Sequence, residues 1–268
     1  MRETAFVIGG CNAFPMHDPE SKRLALHLLT TGFTVDSVAR RTGIPRSTLW
    51  RWKQNPERAA ALVPRLCPRC HDRALDPTAY AYLLGLYLGD GSIANAPGNK
   101  GVFRLEIACD DGWPGLIDAA ATTILAVMPG SKVGRRQCPG CTSVNCYSKH
   151  WPCLFPQHGP GMKHTRKIEL VSWQQEIVDE FTKEFVRGLI HSDGCRGINK
   201  VRREVAGEDR WYEYPRYFFT NTSVDIRRLY TDALDRLGIE WKQANARNIS
   251  VAKREAVARL DEFVGPKY

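Results

Sequence analysis

The sequence contains no uninterrupted apolar stretch of the roughly 18–20 residues that a membrane-spanning helix requires. No signal-peptide pattern is present at its start. The 9 cysteines are odd in number and lie partly in Cys-x-x-Cys pairs, an arrangement that suits a reducing compartment better than a disulfide framework. We therefore expect a cytoplasmic protein with no membrane partner.

Charge of one sign is in excess. The chain has 38 Lys and Arg residues against 29 Asp and Glu residues, a formal net charge of +9. Such an excess favours salt-sensitive contact with phosphates, although it does not identify a partner on its own. With 268 residues, 43% of them hydrophobic, the chain is long enough for one sizeable core and a small additional module.

One short pattern occurs twice. Residues 83–91 read Leu-Leu-Gly-Leu-Tyr-Leu-Gly-Asp-Gly, and residues 186–194 read Val-Arg-Gly-Leu-Ile-His-Ser-Asp-Gly. Both copies end in Asp-Gly, so Asp90 and Asp193 occupy the same position, separated by enough chain for a complete subdomain. The repeat predicts a pseudo-twofold site with two matched carboxylates at its centre.

Small residues recur four positions apart in each copy and so share one helix face. They are Gly85 and Gly89 in the first copy, and Gly188 and Ser192 in the second. Two such faces let helix backbones approach closely, which would bring the acids side by side. The glycine after each acid is typical of a helix C-terminus that turns sharply; these glycines are Gly91 and Gly194. The alternative is a pair of buried helices with incidental acids.

These motifs resemble those of the LAGLIDADG homing endonucleases in their single-chain, two-repeat form, over residues 79–265. The resemblance implies an α+β fold in which two pseudo-symmetric αββαββα halves form a DNA-binding saddle. The last acid of each motif binds divalent metal in that family, which assigns the catalytic acids to Asp90 and Asp193. The family pattern has another acid two residues earlier, where this chain has Leu88 and His191.

Metal ions suit the implied chemistry. Hydrolysis of a phosphodiester requires a polarised phosphoryl oxygen, an activated water and a stabilised leaving oxygen, and paired divalent ions supply all three. Mg²⁺, or Mn²⁺ in its place, takes oxygen ligands and needs one or two carboxylates. The expected ligands are Asp90, Asp193 and the backbone oxygens of Gly89 and Ser192.

The resemblance also implies a basic residue near each scissile phosphate, at the end of the last strand of each half. By position the second half offers Lys253, and Lys167 is a weaker match in the first half. Their role would be to stabilise developing charge or to position a water molecule.

A separate signal lies near the N-terminus, in a predicted domain of residues 21–60. Three helices are expected, over Ser21–Leu29, Val35–Arg41 and Arg46–Lys53, with Thr34 capping the second and Pro45 opening the third. The segment resembles helix-turn-helix modules, whose last helix lies in the major groove of DNA. The alternative is a three-helix cap with a basic surface. The candidate DNA contacts are Arg46, Ser47, Thr48, Trp50, Arg51 and Lys53.

Cysteine pairs suggest a structural metal site that would include the predicted linker of residues 61–78. Two Cys-Pro-x-Cys pairs offer four thiolates, the ligand set of a closed zinc site: Cys67, Cys70, Cys138 and Cys141. Further ligands nearby in sequence are His71, Cys146, His150 and Cys153. Reduced cysteines in turns are the alternative.

Basic residues along predicted strands are the remaining candidates for contact with DNA, and a solvated polar sheet face is the alternative for each. In the second half, Gly197–Val205 and Tyr212–Asn221 are expected to pair as a hairpin. The candidates there are Arg196, Lys200, Arg202, Arg203, Arg210, Arg216, Lys242 and Arg247. A Gly/Pro-rich loop, 155–170, adds Lys163, His164, Arg166 and Lys167.

The predicted organisation is a segment 1–20, the helix-turn-helix domain, the linker, and two halves over residues 79–178 and 179–268. The leading interpretation is a site-specific, metal-dependent double-strand DNA endonuclease, associated with the nucleoid and acting as a monomer because the repeat supplies its own twofold. A transcription regulator that no longer cuts is the main alternative, and an RNA maturase is the third.

Overall fold

The structure is a computed structural model, and it describes residues 19–61, 67–71, 73–98, 101–205 and 207–267. The chain divides into two compact units, Met1–Leu66 and Cys67–Tyr268. The division falls inside the predicted linker. Most of the predicted N-terminal segment, residues 1–18, lies outside the described residues. The described helices include none that is long and apolar enough to cross a membrane.

Within residues 19–61, the first unit contains four helices: α1 (Pro19–Thr30), α2 (Val35–Thr42), α3 (Arg46–Gln54) and α4 (Pro56–Ala61). The side chain of Thr34 caps α2 as predicted, accepting a hydrogen bond of 3.3 Å from the amide of Ser37. Gly43 then ends α2 in the left-handed conformation, with φ 68°. The three expected helices are therefore present, and α4 is an addition that no periodicity indicated.

A small core holds the helices of this unit together. Val38 and Leu49 are fully buried, and Trp52 is 8% exposed. Trp50, two positions from Trp52, is 60% exposed. Residues two apart cannot share a helix face, so α3 buries one tryptophan and presents the other to solvent.

The second unit contains two halves with the same element order. The first half has α5 (Pro77–Leu88), β1 (Gly91–Asn95), β2 (Phe103–Asp110), α6 (Pro114–Val127), β3 (Val133–Cys138), β4 (Cys141–Ser148) and α7 (Trp151–Leu154). A 3₁₀ turn at Lys163–Thr165 and helix α8 (Ser172–Glu180) follow before the second half begins. The predicted boundary between the halves, 178/179, falls inside α8.

The second half repeats this αββαββα order. Its elements are α9 (Thr182–Asp193), β5 (Gly194–Val205), β6 (Glu208–Thr220), α10 (Val224–Arg236), β7 (Lys242–Asn245), β8 (Asn248–Val251) and α11 (Arg254–Val264). Each half forms one four-stranded antiparallel sheet, with strand orders β1-β2-β4-β3 and β5-β6-β8-β7. The predicted α+β class and its duplication are thereby confirmed.

Helices α5 and α9 pack against each other through their small residues. A Cβ added at Gly85 would lie 2.6 Å from the carbonyl oxygen of Phe185, and one added at Gly188 would lie 2.3 Å from that of Tyr82. Such distances leave no room for a side chain at either position. The predicted close approach of the two backbones is therefore present, with Gly85 and Gly188 at the crossing.

Glycine is required after each acid for a reason different from the predicted sharp turn. Neither Gly91 nor Gly194 has a positive φ, and Gly194 is extended with φ −105° and ψ 164°. Instead, a Cβ at Gly91 would lie 2.5 Å from the Cα of Tyr87, and one at Gly194 would lie 2.7 Å from the Cα of Ile190. Glycine is needed because the first strand of each half starts against the last turn of its own motif helix.

Candidate functional site

The two acids lie at matching ends of the motif helices. Asp90 follows α5 and its cap residue Gly89, and Asp193 is the last residue of α9. A cavity of about 380 Å³, the Asp193 cavity, is lined by Asp193 together with Gly89 and Gly91. A second cavity of about 230 Å³, the Asp90 cavity, is lined by Asp90 together with Ser192.

Each cavity therefore combines residues from both motifs. Each cavity joins the carboxylate of one motif to the residue that precedes the acid in the other motif. The mixed lining follows from the packing of α5 on α9. A Cβ added at Gly89 would lie 2.0 Å from the Oγ of Ser192 and 3.2 Å from the Cγ of Asp193. The duplicated sequence thus places one motif carboxylate in each of two cavities beside the helix pair.

A lysine lines each cavity. Lys163, from the loop after the first half, donates hydrogen bonds through Nζ to the carbonyl oxygens of Tyr87 at 2.6 Å, Gly91 at 2.9 Å, and Gly89. Lys267, after the second half, donates through Nζ to the carbonyl oxygen of Gly194. The two ammonium groups therefore contact the backbone at the C-terminal ends of α5 and α9, where the helix dipole favours positive charge.

Both lysines titrate below their ordinary range because burial disfavours the charged form. The pKa of Lys163 is lowered to about 8, against the attraction of Asp193 and Asp90, which raises it. The pKa of Lys267 is also lowered by burial, and the same two carboxylates oppose that shift. Each ammonium therefore acts electrostatically on both acids.

The carboxylates titrate above their ordinary range. Partial desolvation raises the pKa of Asp90, and Lys163 and Lys267 counteract it. Desolvation and the charge of Asp90 together raise the pKa of Asp193 to about 6, although Asn221 donates a hydrogen bond to its Oδ2 and lowers it. Two acids that repel each other through a crowded junction retain full charge more easily when a cation is bound.

The donor set fits a hard divalent cation. Carboxylate oxygens of Asp90 and Asp193 and backbone carbonyls at helix ends are the oxygen ligands that Mg²⁺ and Mn²⁺ prefer. The carbonyls of Gly89 and Gly91 already bind a cation, the Lys163 ammonium. The residues expected to hold metal from the sequence, including Gly89 and Ser192, line the two cavities.

The motif positions that depart from the family pattern have structural roles. Leu88 is fully buried in the core, and His191 is 6% exposed. The Nε2 of His191 donates to the carbonyl oxygen of Val264 at 2.9 Å, so its Nδ1 accepts from the hydroxyl of Tyr82 at 2.8 Å. Burial lowers the pKa of His191 to about 4, and the ring is neutral near pH 7. Neither residue replaces a missing acid.

The lysines beside the acids are not those expected from the sequence. Lys253, the N-cap residue of α11, pairs through Nζ with Glu240, and the Nζ of Lys167 pairs with Glu169 at 2.6 Å. Both side chains are largely exposed, and the cations that act on Asp90 and Asp193 are Lys163 and Lys267. Lys163 and Lys267 lie in irregular segments with no periodicity of their own, so the sequence did not indicate their positions beside the acids.

Helix α3 exposes most of the residues predicted to contact DNA. Thr48 is half-buried, and the remaining candidates are exposed: Arg46, Ser47, Trp50, Arg51 and Lys53. Arg46 forms an ion pair with Asp36 of α2, so part of its charge is compensated within the first unit.

Each sheet of the second unit has one face against helices and an opposite, open face. Residues that lie directly opposite in antiparallel strands share a face, and Arg196 pairs with Tyr217, which pairs with Val251. Tyr217 and Val251 are buried, and Arg196 makes two hydrogen bonds of 2.7 and 2.9 Å to Asp261 of α11. Arg196 therefore lies on the helix-packed face, contrary to the expectation that it contacts DNA.

Lys200 and Arg202 follow Arg196 on the same face by the alternation of β5. Lys200 is ion-paired with Glu213 at 2.7 Å, and Arg202 is ion-paired with Asp209. The sequence could not show which basic residues of β5 lie on which face of the sheet, because basic residues occur at both odd and even positions of the strand. The open face of β5 and β6 carries a different set: Arg203, Arg210, Tyr212, Tyr214 and Arg216.

The corresponding open face of the first half holds basic residues that were not among the predicted DNA contacts. Arg104 of β2 and Arg136 of β3 both pair with Glu106, at 2.7 and 2.6 Å. Arg104 and Glu106 alternate with the buried Leu105 and Ile107, so the period-two pattern of β2 already indicated their face.

The remaining basic candidates are dispersed. Lys242 in β7 and Arg247 in the turn after it are exposed, as is His164. Arg166 closes its own loop, donating to the carbonyl oxygens of Gln157 at 3.1 Å and Gly161 at 2.8 Å.

The cysteines group differently from the expectation. Four residues place their ligand atoms within 4.8 Å of one another: Cys67, Cys70, His150 and Cys153. Cys138 and Cys141 instead lie opposite each other at the turn between β3 and β4. The sequence named all four members of the cluster among its candidates but paired the wrong two with Cys67 and Cys70, because sequence separation does not reveal which turns meet.

Comparison with known proteins gives two kinds of match. A family model described as a homeodomain-like domain matches residues 17–63. No curated protein sequence matches the chain. Among solved structures, I-DmoI in complex with DNA and Mn is 14% identical with a TM-score of 0.48, covering 72% of this chain and 99% of that chain.

Two further similar structures are those of a LAGLIDADG meganuclease and a LAGLIDADG homing endonuclease. I-AabMI bound to uncleaved DNA is 11% identical with a TM-score of 0.45, covering 69% of this chain and 82% of that chain. I-SmaMI bound to cleaved DNA is 10% identical with a TM-score of 0.45, covering 72% of this chain and 84% of that chain. The chain is similar to LAGLIDADG homing endonucleases and carries a homeodomain-like segment at residues 17–63.

Proposed function

We propose that this protein is a site-specific endonuclease that hydrolyses both strands of a long DNA duplex with divalent metal ions. The observation that carries the proposal is the crossed arrangement of the acids. Each of the two cavities contains a carboxylate from one motif, a helix-end residue from the other motif and a lysine. Two equivalent sites on either side of a twofold helix pair suit the cleavage of two antiparallel strands.

The chain's own residues have distinct roles in this proposal. Asp90 and Asp193 would hold Mg²⁺ or Mn²⁺, with backbone oxygens of Gly89 and Ser192 as further ligands. A bound divalent ion supplies an activated water and neutralises charge on the phosphate. Lys163 and Lys267 would stabilise charge that develops on the phosphate oxygens. Asn221 orients the Asp193 carboxylate through its hydrogen bond.

Duplex binding is assigned to the open faces of the two sheets and to α3. Arginines and tyrosines on the open face of the second half supply phosphate contacts and base-edge contacts. The homeodomain-like segment would add flanking contacts through α3 in the major groove. One chain is sufficient for both strands because the repeat supplies the twofold axis.

The test is cleavage of a randomised duplex library in Mg²⁺, alongside binding selection on the same library. Wild-type protein is expected to cut at a recurrent long site, whereas Asp90→Asn and Asp193→Asn bind that site without cutting it. Asp118→Asn is the matched control, since Asp118 is an exposed acid on α6 that is paired with Arg135 of β3. Loss of cutting by Asp118→Asn as well, or loss of binding by both motif variants, would contradict the assignment of the acids.

A transcription regulator that binds DNA without cutting is the second candidate. The observation in its favour is that Lys163 already donates a hydrogen bond to the carbonyl oxygen of Gly89, an expected metal ligand. A regulator would select a recurrent site in the binding arm and leave it intact in Mg²⁺ and in Mn²⁺.

A further inference from the structure

Four side chains from two distant parts of the second unit meet at one point. Cys67 and Cys70 lie where the chain enters this unit, and His150 and Cys153 lie at the start of α7. Their ligand atoms all lie within 4.8 Å of one another. Three thiols and an imidazole, in two pairs of two-residue spacing, match the ligand types and the spacing of structural zinc sites.

The distances within the cluster are those of a tetrahedron around one ion. With zinc–sulfur bonds of about 2.3 Å, two sulfurs in tetrahedral positions lie about 3.8 Å apart. The Sγ atoms of Cys70 and Cys153 are 3.7 Å apart, and the Nδ1 of His150 is 3.2 Å from the Sγ of Cys70. A disulfide would bring the sulfurs to about 2.05 Å, so the present separation suits shared coordination and not a covalent bond.

Backbone hydrogen bonds prepare the first pair for thiolate chemistry. The amide of Arg69 donates to the Sγ of Cys67 at 3.4 Å, and the amide of Cys67 donates to the Nδ1 of His71 at 3.0 Å. The first bond favours the charged sulfur. Cys67 is fully buried, and its Sγ lies within 4.8 Å of the ligand atoms of Cys70, His150 and Cys153. His71 is thus used to fix the turn and not as a ligand.

The cluster joins the entry segment to the layer that supports the first motif helix. Helix α7 contains Trp151, which is fully buried, and the carbonyl oxygen of Leu154 accepts a hydrogen bond of 2.5 Å from the hydroxyl of Tyr80 in α5. The guanidinium of Arg69 lies 4.4 Å from the ring centroid of Trp173 in α8. An ion at the cluster would fasten residues 67–71 onto α7, and through α7 onto the base of α5.

We propose that Cys67, Cys70, His150 and Cys153 bind one structural Zn²⁺ that fixes the start of the second unit to α7. All four tetrahedral positions are filled by protein, so the ion is closed to water and takes no part in the reaction. The site is independent of the proposed cleavage, because its ligands are separate from Asp90 and Asp193.

Metal content of the full chain tests the proposal. Native mass spectrometry and release of metal to a chromogenic chelator are expected to give one zinc per chain for wild type. The same stoichiometry is expected for Cys138→Ser/Cys141→Ser, the control that removes the other Cys-Pro-x-Cys pair. Cys70→Ser/Cys153→Ser is expected to lose the ion. A wild-type protein without zinc, or zinc lost with the control and kept by Cys70→Ser/Cys153→Ser, would overturn the assignment.

A conservative variant keeps the test valid if the cysteine variants fail to fold. Replacement of zinc by Co²⁺ is expected to give the visible bands of tetrahedral cobalt with thiolate charge-transfer absorption. His150→Cys keeps four ligands and is expected to retain one ion per chain while the charge-transfer absorption increases by one thiolate. An unchanged spectrum for His150→Cys would exclude His150 as a ligand, and a mass lower by two hydrogens without metal would identify a disulfide instead.

Discussion

Lys163 and Lys267 occupy equivalent positions in the two halves. Lys163 donates to the carbonyl oxygen of Gly91, 72 residues before it, and Lys267 donates to that of Gly194, 73 residues before it. Gly91 and Gly194 are the residues that directly follow the two acids. The duplication therefore extends from the motif helices to the cations that act on them.

The ammonium of Lys163 lies at the proposed metal site and should affect metal affinity. Lys163 is bound to three carbonyl oxygens at the end of α5, including that of Gly89. A divalent ion must either share these oxygens with the lysine or displace it. Lys163 is therefore expected to weaken metal binding in the absence of DNA, whose phosphates would draw the ammonium away.

Replacing this ammonium tests the competition. Lys163→Met keeps much of the aliphatic stem and frees the carbonyl oxygens of Gly89 and Gly91. We expect Mn²⁺ to bind the DNA-free protein about tenfold more tightly, equivalent to about 1.4 kcal/mol, as measured by isothermal titration calorimetry. Lys167→Met is the control, because Lys167 is exposed and paired with Glu169. Equal Mn²⁺ affinities for wild type and both variants would show that Lys163 does not compete.

The helix crossing should be intolerant of a single methyl group. In Gly188→Ala the new Cβ would lie 2.3 Å from the carbonyl oxygen of Tyr82 and 3.0 Å from the Cα of Gly85. Alanine favours a helix by roughly 1 kcal/mol over glycine, but overpacking against backbone outweighs this gain. We expect a net loss of about 2–4 kcal/mol in the free energy of unfolding, measured by urea denaturation.

The same change elsewhere provides the comparison. A Cβ at Gly197 in β5 meets nothing within 4 Å. Gly197→Ala is expected to alter the free energy of unfolding by less than about 0.5 kcal/mol. If the two variants were equally stable, the close packing of α5 on α9 would be incorrect.

Asp193 should make stability depend on pH. Its folded pKa of about 6 lies above the ordinary value of 3.8, so the folded state binds more protons than the unfolded state between these values. The stabilisation from this group is present below about pH 4 and is lost as pH rises through 6. Asp193→Asn removes this loss and keeps an oxygen that accepts from Asn221.

We therefore expect Asp193→Asn to exceed wild type in the free energy of unfolding at pH 7.5 in EDTA. The full shift corresponds to about 3 kcal/mol, and partial exposure reduces the expected gain to about 1 kcal/mol. The difference should vanish near pH 4 in a series of urea denaturations. A gain that is constant from pH 4 to pH 8 would show that the charge of Asp193 is not its cause.

Those parts of the structure that depend on local pattern could be predicted from the sequence. The spacing of Gly85, Gly89, Gly188 and Ser192 indicated the helix crossing, because a face of small residues on a buried helix allows close packing against another helix. The side-chain cap at Thr34 is equally local. Elements without periodicity were missed: β1, α4, α7 and α8.

The rest depends on contacts that no local pattern encodes. Lys163 reaches Gly91 across the whole first half, and Cys70 meets Cys153 across 83 residues. The roles of Leu88 and His191 were also invisible, because burial and the partners Tyr82 and Val264 are tertiary features. Assigning a strand residue to one face required the register of β5 against β6, and this decides which arginines are free to meet DNA.

Two adjacent arginines of β5 test that assignment of faces. Arg202 lies on the helix side and is paired with Asp209, whereas Arg203 lies on the open face, 5.9 Å from the ring centroid of Tyr212. Both are exposed and carry the same charge, so both contribute equally to the non-specific electrostatic attraction to DNA. Arg203→Ala is expected to weaken binding to the selected DNA site and to reduce the slope of log affinity against log salt by about 1, the effect of one lost phosphate contact. Arg202→Ala should leave the slope unchanged, as measured by fluorescence anisotropy over a salt series without divalent metal. Equal slopes for the two variants would mean that the open face of this sheet is not the surface that follows the DNA backbone.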